Sequence, residues 1–210
     1  MRKQIIGRLF IIGLMIVLPF IILIRGSVYL HEKYFFYPLP AIIGGFFLTA
    51  VLLLFYLIFI LGTPAQSLKR RFQLVLILLL SYGGYALLYI SGKNVKSTEI
   101  AREYTSLHPI LRLGVTTILL VDKNLVVTDA NRTPEDYRRM GLDDKSQSLH
   151  YRQKDGYTHA IDIRTNGRSG IRNFLLKIYF RAMGFNVMRH GGTGDHLHIS
   201  LLSHDRPHAF

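Results

Sequence analysis

Three long apolar stretches fill most of the first ninety residues, and few folds are open to a run of about twenty residues almost without charge. At about 1.5 Å per residue, a helix of that length covers the roughly 30 Å of hydrocarbon in a bilayer. The stretches run from about Gln4 to Ile24, Leu39 to Leu61 and Phe72 to Ile90. Arg8 sits near the end of the first and can snorkel. Gly44, Gly45, Gly83 and Gly84 offer close helix packing. Two further spans make a cleaved signal peptide a poor account of the first. The chain therefore divides into a three-helix transmembrane region, 1–92, with the lipid bilayer as its first partner, and an extracytoplasmic domain, 93–210.

Charge sets the expected orientation. Arg2 and Lys3 precede the first span, and Lys69, Arg70 and Arg71 fill the short loop between the second and third. Loops rich in Lys and Arg stay in the cytoplasm, so three crossings put the C-terminal domain outside. In a bacterium that is the periplasmic or extracytoplasmic face of the inner (cytoplasmic) membrane. The loop from Arg25 to Pro38 is less basic, and its Tyr29, Tyr34, Phe35, Phe36 and Tyr37 read as an interfacial aromatic belt. Ser81, Tyr82 and Tyr85 in the third span read as helix packing rather than as a transport path. An anchor is the expected role, one that is also compatible with membrane protein partners.

The formal net charge is +13 and there is no cysteine. Seven of those units lie in the membrane part, and the remaining six form no basic stretch with stacking aromatics, so nucleic acid is not an expected partner. Without cysteine there is neither a disulfide framework nor a thiolate metal site.

After a polar linker, Gly92 to Thr98, the apolar spacing predicts a helix over Glu99 to Leu113 that stops at Gly114. Val115 to Val121 and Leu125 to Ala130 then read as strands of a hairpin turning at Asp122, Lys123 and Asn124. Thr133, Pro134, Glu135 and Asp136 carry the signature of a short helix ending at Gly141. Ser148 to Gln153 and Tyr157 to Arg164 read as strands about a turn at Lys154, Asp155 and Gly156. A helix over Arg172 to Met183, stopped by Gly184, precedes strands at Phe185 to Arg189 and Asp195 to Leu202. Gly191, Gly192, Thr193 and Gly194 separate those two strands. The fold class expected is a three-helix α-helical membrane anchor plus an α+β domain with an antiparallel sheet.

His150, His159, Asp162, His196 and His198 all fall on strands or strand ends near tight turns, and two or three histidines with one carboxylate make an open zinc set. In the expected hairpin His150 and His159 are cross-strand neighbours. Strict alternation puts His159 and Asp162 on opposite strand faces, which favours His150 unless a bulge intervenes.

The segments Ser148 to Tyr151 (SLHY), Gly156 to Ile163 (GYTHAIDI), Met183 to Val187 (MGFNV) and His196 to Ser200 (HLHIS) resemble the zinc D-Ala-D-Ala peptidase family. That family includes the vancomycin-resistance dipeptidases and D,D-carboxypeptidases, and the Hedgehog signalling domain shares its fold. The resemblance covers about Val126 to Leu201 and implies that His150, Asp162 and His198 bind Zn2+. It also implies that Asp195, three residues before the last ligand, is the general base. Asp129 to Pro134 (DANRTP) resembles the family's substrate-holding segment and gives Arg132 that role; His196 would add a hydrogen bond to the tetrahedral intermediate.

Two features depart from the family pattern. His150 and Asp162 are twelve residues apart where the family has seven, so that His159 replaces or joins His150 if the ligand has moved. The base is Asp rather than Glu. The function implied is a membrane-anchored zinc metallopeptidase (hydrolase) of the D,D-carboxypeptidase or endopeptidase type, acting on D-Ala-containing peptidoglycan stems or their precursors in the cell wall. The alternative is a non-catalytic module of the same fold that binds peptidoglycan or a protein.

Overall fold

The structure is a computed structural model that describes residues 2–139, 141, 143, 147–192 and 194–209, with backbone alone at 2–5. Thr193 and the side chains of Arg2 and Lys3 lie outside the described residues.

Helix α1 (Arg2–Tyr34) has 33 residues, about 50 Å at the α-helical rise, so it outruns a hydrocarbon core by several turns. It does not end at Ile24, because beyond that point Val28 and His31 find a second partner and are buried against the C-terminal domain. Helix α2 (Pro38–Phe55) starts with a proline at its first position and runs on into a π-helical turn, Tyr56–Ile60. Helix α3 (Ala65–Leu88) takes Lys69, Arg70 and Arg71 into its first turns, so those residues are helical rather than a loop. All three helices are long and apolar enough to cross a membrane.

The backbones of α1 and α2 approach each other at Gly45, where a Cβ would lie 2.1 Å from Ser27 Oγ and 2.6 Å from the Leu23 carbonyl. The Ser27 hydroxyl satisfies itself on Leu23 O at 2.7 Å, so the contact leaves no stray donor. Gly83 admits the Phe46 ring in the same way, whereas Gly84 faces nothing within 4 Å.

Local chemistry redraws the start of the domain. Pro109 forces His108 out of helical backbone, to φ −50° and ψ 129°. The single helix expected over Glu99 to Leu113 is therefore two: α4 (Thr98–Glu103), continued by a 3-10 turn, and α5 (Pro109–Leu119). Gly114 lies inside α5, where a Cβ would stand 2.9 Å from the Phe185 ring; it serves close packing and does not stop the helix. The expected strand over Val115 to Val121 is helical through Leu119, and the hairpin at Asp122 to Asn124 is a connecting loop. Helix α5 is buried from Pro109 to Thr117 and packs on α1, α2, α3 and α7. That enclosure overrides the modest β preference of its valine, threonines and isoleucines. Thr116 donates to Ala86 O at 3.3 Å, and Arg112 donates to Leu87 O, so α5 caps the end of α3. One apolar core runs from Leu23 and Ala86 into the domain.

Strands β1 (Val127–Asp129), β2 (Ala160–Arg164), β3 (Asn186–His190) and β4 (His196–Ser200) form an antiparallel sheet in the order β1-β2-β4-β3. Ser148 to Gln153 is not a strand; it makes one isolated bridge, Arg152 to Thr158. Helix α6 (Pro134–Arg139) sits where the Thr133-Pro134 signature placed it, and α7 (Gly170–Met183) where its apolar spacing did. Ile161, Ile163, Leu197 and Ile199 of the sheet are fully buried in the core shared with α5 and α7. Because side chains alternate along a strand, Asp162 and His198 face the other way. Gly184 ends α7 at φ 102°, and a Cβ there would meet Arg25 Nη1 at 2.3 Å and Val28 at 2.9 Å, so α1 crosses the end of α7.

Candidate metal centre

Register places two of the expected ligands. Asp162 of β2 is paired directly with His198 of β4, and His198 Nδ1 lies 2.9 Å from Asp162 Oδ1. His150 enters from the loop before β2, with Nε2 at 3.2 Å from His198 Nδ1 and 3.3 Å from Asp162 Oδ1. Three ligand atoms from three parts of the chain therefore converge on one point, and all three residues are buried. The loop is held in place because Ser148 Oγ accepts the His150 amide at 3.2 Å and bonds the Tyr137 hydroxyl at 2.8 Å.

Two facing imidazole nitrogens and a carboxylate oxygen, without thiolate, form a donor set suited to a divalent transition ion with an open position. Burial opposes ionisation of Asp162, but the His150 and His198 rings outweigh it and hold the carboxyl well below the usual range. His198 Nε2 is buried with no hydrogen-bond partner among the described residues.

Asp129 and Arg132 surround this centre. A bulge between Val127 and Asp129 brings Asp129 opposite Asp162, and its Oδ1 lies 3.6 Å from His150 Nδ1. Burial raises the Asp129 pKa, with His150 and Arg132 pulling the other way. Arg132 spans both carboxylates, Nε to Asp129 Oδ2 at 2.6 Å and Nη2 to Asp162 Oδ2 at 2.6 Å. Burial works against its charge, but the two carboxylates outweigh that and keep it protonated. Asp129 is not among the site residues expected from the sequence. Its position three residues before Arg132 was the available signal.

The remaining two expected residues sit at the margin. His196 Nε2 is 3.6 Å from Asp162 Oδ2, and its Nδ1 donates to Gly194 O at 2.6 Å. Asp195 accepts two hydrogen bonds from Arg189, at 3.0 Å and 2.5 Å, which hold its carboxyl down at about 2. It therefore faces Arg189 rather than the ligand cluster. Next to His198 opens a cleft of about 320 Å³ whose lining includes Arg25, Arg181, Met188 and Ser200. Arg25 belongs to helix α1, and nothing in the spacing of the sequence links it to the site.

The His159 amide donates to Leu149 O at 2.9 Å, but its side chain does not join that of His150. The loop before β2 pairs one residue out of the expected register, Arg152 with Thr158. His159 joins His108 and Asp155 in a separate histidine–carboxylate group. Comparison of the chain with protein-family models, with curated proteins and with solved structures finds no match.

Proposed function

We propose that this protein is a membrane-anchored, zinc-dependent peptidase acting on D-Ala-containing peptidoglycan stem peptides at the outer face of the bacterial cytoplasmic membrane. The observation that carries the reading is the convergence of His150 Nε2, Asp162 Oδ1 and His198 Nδ1, three residues that the resemblance to the zinc D-Ala-D-Ala peptidases picks out. Zinc bound there would supply the Lewis acidity that polarises a peptide carbonyl and acidifies a water.

The chain's own groups do the rest. Arg132 fixes the second oxygen of Asp162 and keeps Asp129 beside His150, the outer carboxylate that orients a ligating histidine. His196, at the open side of the cluster, can donate to a developing oxyanion through Nε2 once its ring carries a second proton, since Nδ1 is committed to Gly194 O. Asp195 acts as proton acceptor only after leaving Arg189, because a carboxyl held at about 2 is a weak base at neutral pH. Arg25 and Arg181 make the adjoining cleft basic and suit it to the free carboxylate of a stem peptide. The end of α3 and the last turns of α1 meet the domain, so Arg8, Lys69, Arg70 and Arg71 lie toward the opposite end of the bundle. Positive charge at that end favours an extracytoplasmic domain.

The ion pair between Arg189 and Asp195 favours a second reading, a non-catalytic peptidoglycan-binding module. Full-length protein in detergent, loaded with zinc and incubated with muropeptides, decides between them. Release of D-Ala that disappears in His198→Ala supports the peptidase. Zinc binding and muropeptide binding without release support the module.

A further inference from the structure

We propose that His108, Asp155 and His159 form a second site for a divalent transition ion, independent of the first and placed at the seam between α1 and the domain. Their ligand atoms lie within 4.8 Å of one another. His159 Nε2 is 2.8 Å from Asp155 Oδ2, and His108 Nε2 is 3.7 Å from the same oxygen. His108 is completely buried, and its Nε2 has no hydrogen-bond partner among the described residues.

Hydrogen bonding fixes the His159 ring. A carbonyl can only accept, so Nδ1, at 3.1 Å from Leu202 O, carries a proton. The neutral ring then turns the lone pair of Nε2 toward a carboxylate oxygen, and two acceptors meet at 2.8 Å. Only a cation relieves that, a proton on Nε2 or a metal between the groups. His108 Nε2, buried without a hydrogen-bond partner 3.7 Å from the same oxygen, supplies a third ligand that a metal would use and a single shared proton would not. A ring N–H donated to a backbone carbonyl is also the usual outer contact of a metal-binding histidine.

His108 must adjust for this. Its Nδ1 now accepts the Ile110 amide at 3.2 Å, and ligation through Nε2 moves the ring proton to Nδ1. The start of α5 loses one capping hydrogen bond, a small cost beside three metal–ligand bonds.

Two imidazoles and one carboxylate select an ion of the zinc and cobalt class over magnesium or calcium, which take oxygen donors. A cavity of about 320 Å³ that reaches Asp155 and His159, walled by Phe35 and Phe36, leaves room for water or an exogenous ligand to complete the coordination. The two sites share no residue, and His159, just ahead of β2, is an odd number of positions from Asp162, so extended backbone turns the two side chains opposite ways. His31 of α1 approaches the same Leu202 carbonyl with Nε2 at 3.3 Å, and its ring lies 4.8 Å from that of His108. Occupancy would therefore stiffen the joint between the first membrane helix and the domain.

The test is metal stoichiometry on full-length protein in detergent, stripped and then equilibrated with Zn(II) or Co(II). Wild type is compared with Asp155→Asn, His159→Ala and His198→Ala, and far-ultraviolet dichroism checks folding. Asp155→Asn keeps the side-chain shape, so it reports even if His159→Ala fails to fold. The expected result is two ions per chain in wild type, one in each folded single variant, and a distinct Co(II) visible band lost in Asp155→Asn. One ion per chain that survives Asp155→Asn overturns the proposal and leaves the first site standing. One ion that survives His198→Ala but is lost in Asp155→Asn sustains the proposal and removes the zinc peptidase reading. No bound ion removes both.

Discussion

The two histidine–carboxylate groups differ in what holds them. Asp162 and His198 stand on the sheet face turned away from the core, locked opposite each other by the register of β2 and β4, and His150 reaches them from the loop before β2. His108, Asp155 and His159 come from a helix cap, a turn and the residue before a strand, and are pressed together by α1 and by the chain after β4. The first group inherits its geometry from backbone hydrogen bonding, and the second depends on how the membrane helix docks. Perturbing α1 should therefore loosen the second and leave the ligand set of the first intact.

The largest expected effect separates them cleanly. His198→Ala removes the ligand at the centre of the first group and opens the gap beside Asp162, so metal content there and any peptide hydrolysis fall to the level of stripped protein. The second group shares no side chain with the first and keeps its ion. Elemental analysis and D-Ala release on the same preparation check this. Hydrolysis that persists in His198→Ala would move catalysis to the seam.

The same contrast explains what was legible in the sequence. The resemblance to the peptidase family, carried by SLHY, GYTHAIDI and HLHIS, is what singles out His150, Asp162 and His198; alternation adds only that His196 and His198 share a face of their strand. The seam group was hidden for two reasons. Pro109 breaks a helix that apolar spacing alone reads as continuous, and that break delivers His108. The loop ahead of β2 closes one residue out of the expected register, which turns His159 away from His150. The three long apolar helices were visible from hydropathy, but not the extension of α1 to Tyr34, since that depends on burial against a domain far along the chain. The strand reading of Val115 to Val121 failed because β-branched Val115, Thr116, Thr117 and Ile118 follow one another where packing against four helices, not local preference, sets the backbone.

Next in size is Asp129→Asn. Its carboxylate approaches His150 Nδ1 and accepts from Arg132, so the amide keeps the shape and loses the charge that orients the histidine. Losing such an outer partner costs about 10–100-fold in metal affinity. Zinc titration against a competing chelator should show that loss in the first group and an unchanged second group. Equal weakening of both would mean that the two are coupled through β2.

Removing Arg189 acts on proton transfer and not on metal. In Arg189→Ala the Asp195 carboxyl loses the hydrogen bonds that hold it at about 2 and returns toward the ordinary value of about 3.9. A carboxylate freed of Arg189 is the stronger base and is available without first breaking that pair, so kcat at neutral pH should rise with zinc content unchanged. An unchanged kcat would exclude Asp195 as the base.

The smallest effect joins the two regions. Arg25 lies on α1, packs over the αL turn at Gly184 and lines the cleft beside His198, so one membrane helix reaches the first site through Arg25 and the second through His31. Arg25 is solvent-exposed, and water screens its attraction for a substrate carboxylate to roughly 0.2–1 kcal/mol. Arg25→Met keeps the aliphatic stem over Gly184 and deletes the charge. KM for a peptide with a free C-terminal carboxylate should then rise by no more than about fivefold, kcat should hold, and the carboxamide analogue should be indifferent. A fall in kcat, or an equal loss on both substrates, would mean that Arg25 positions α1 against the domain instead of meeting the substrate. The first site would then depend on membrane docking as much as the second.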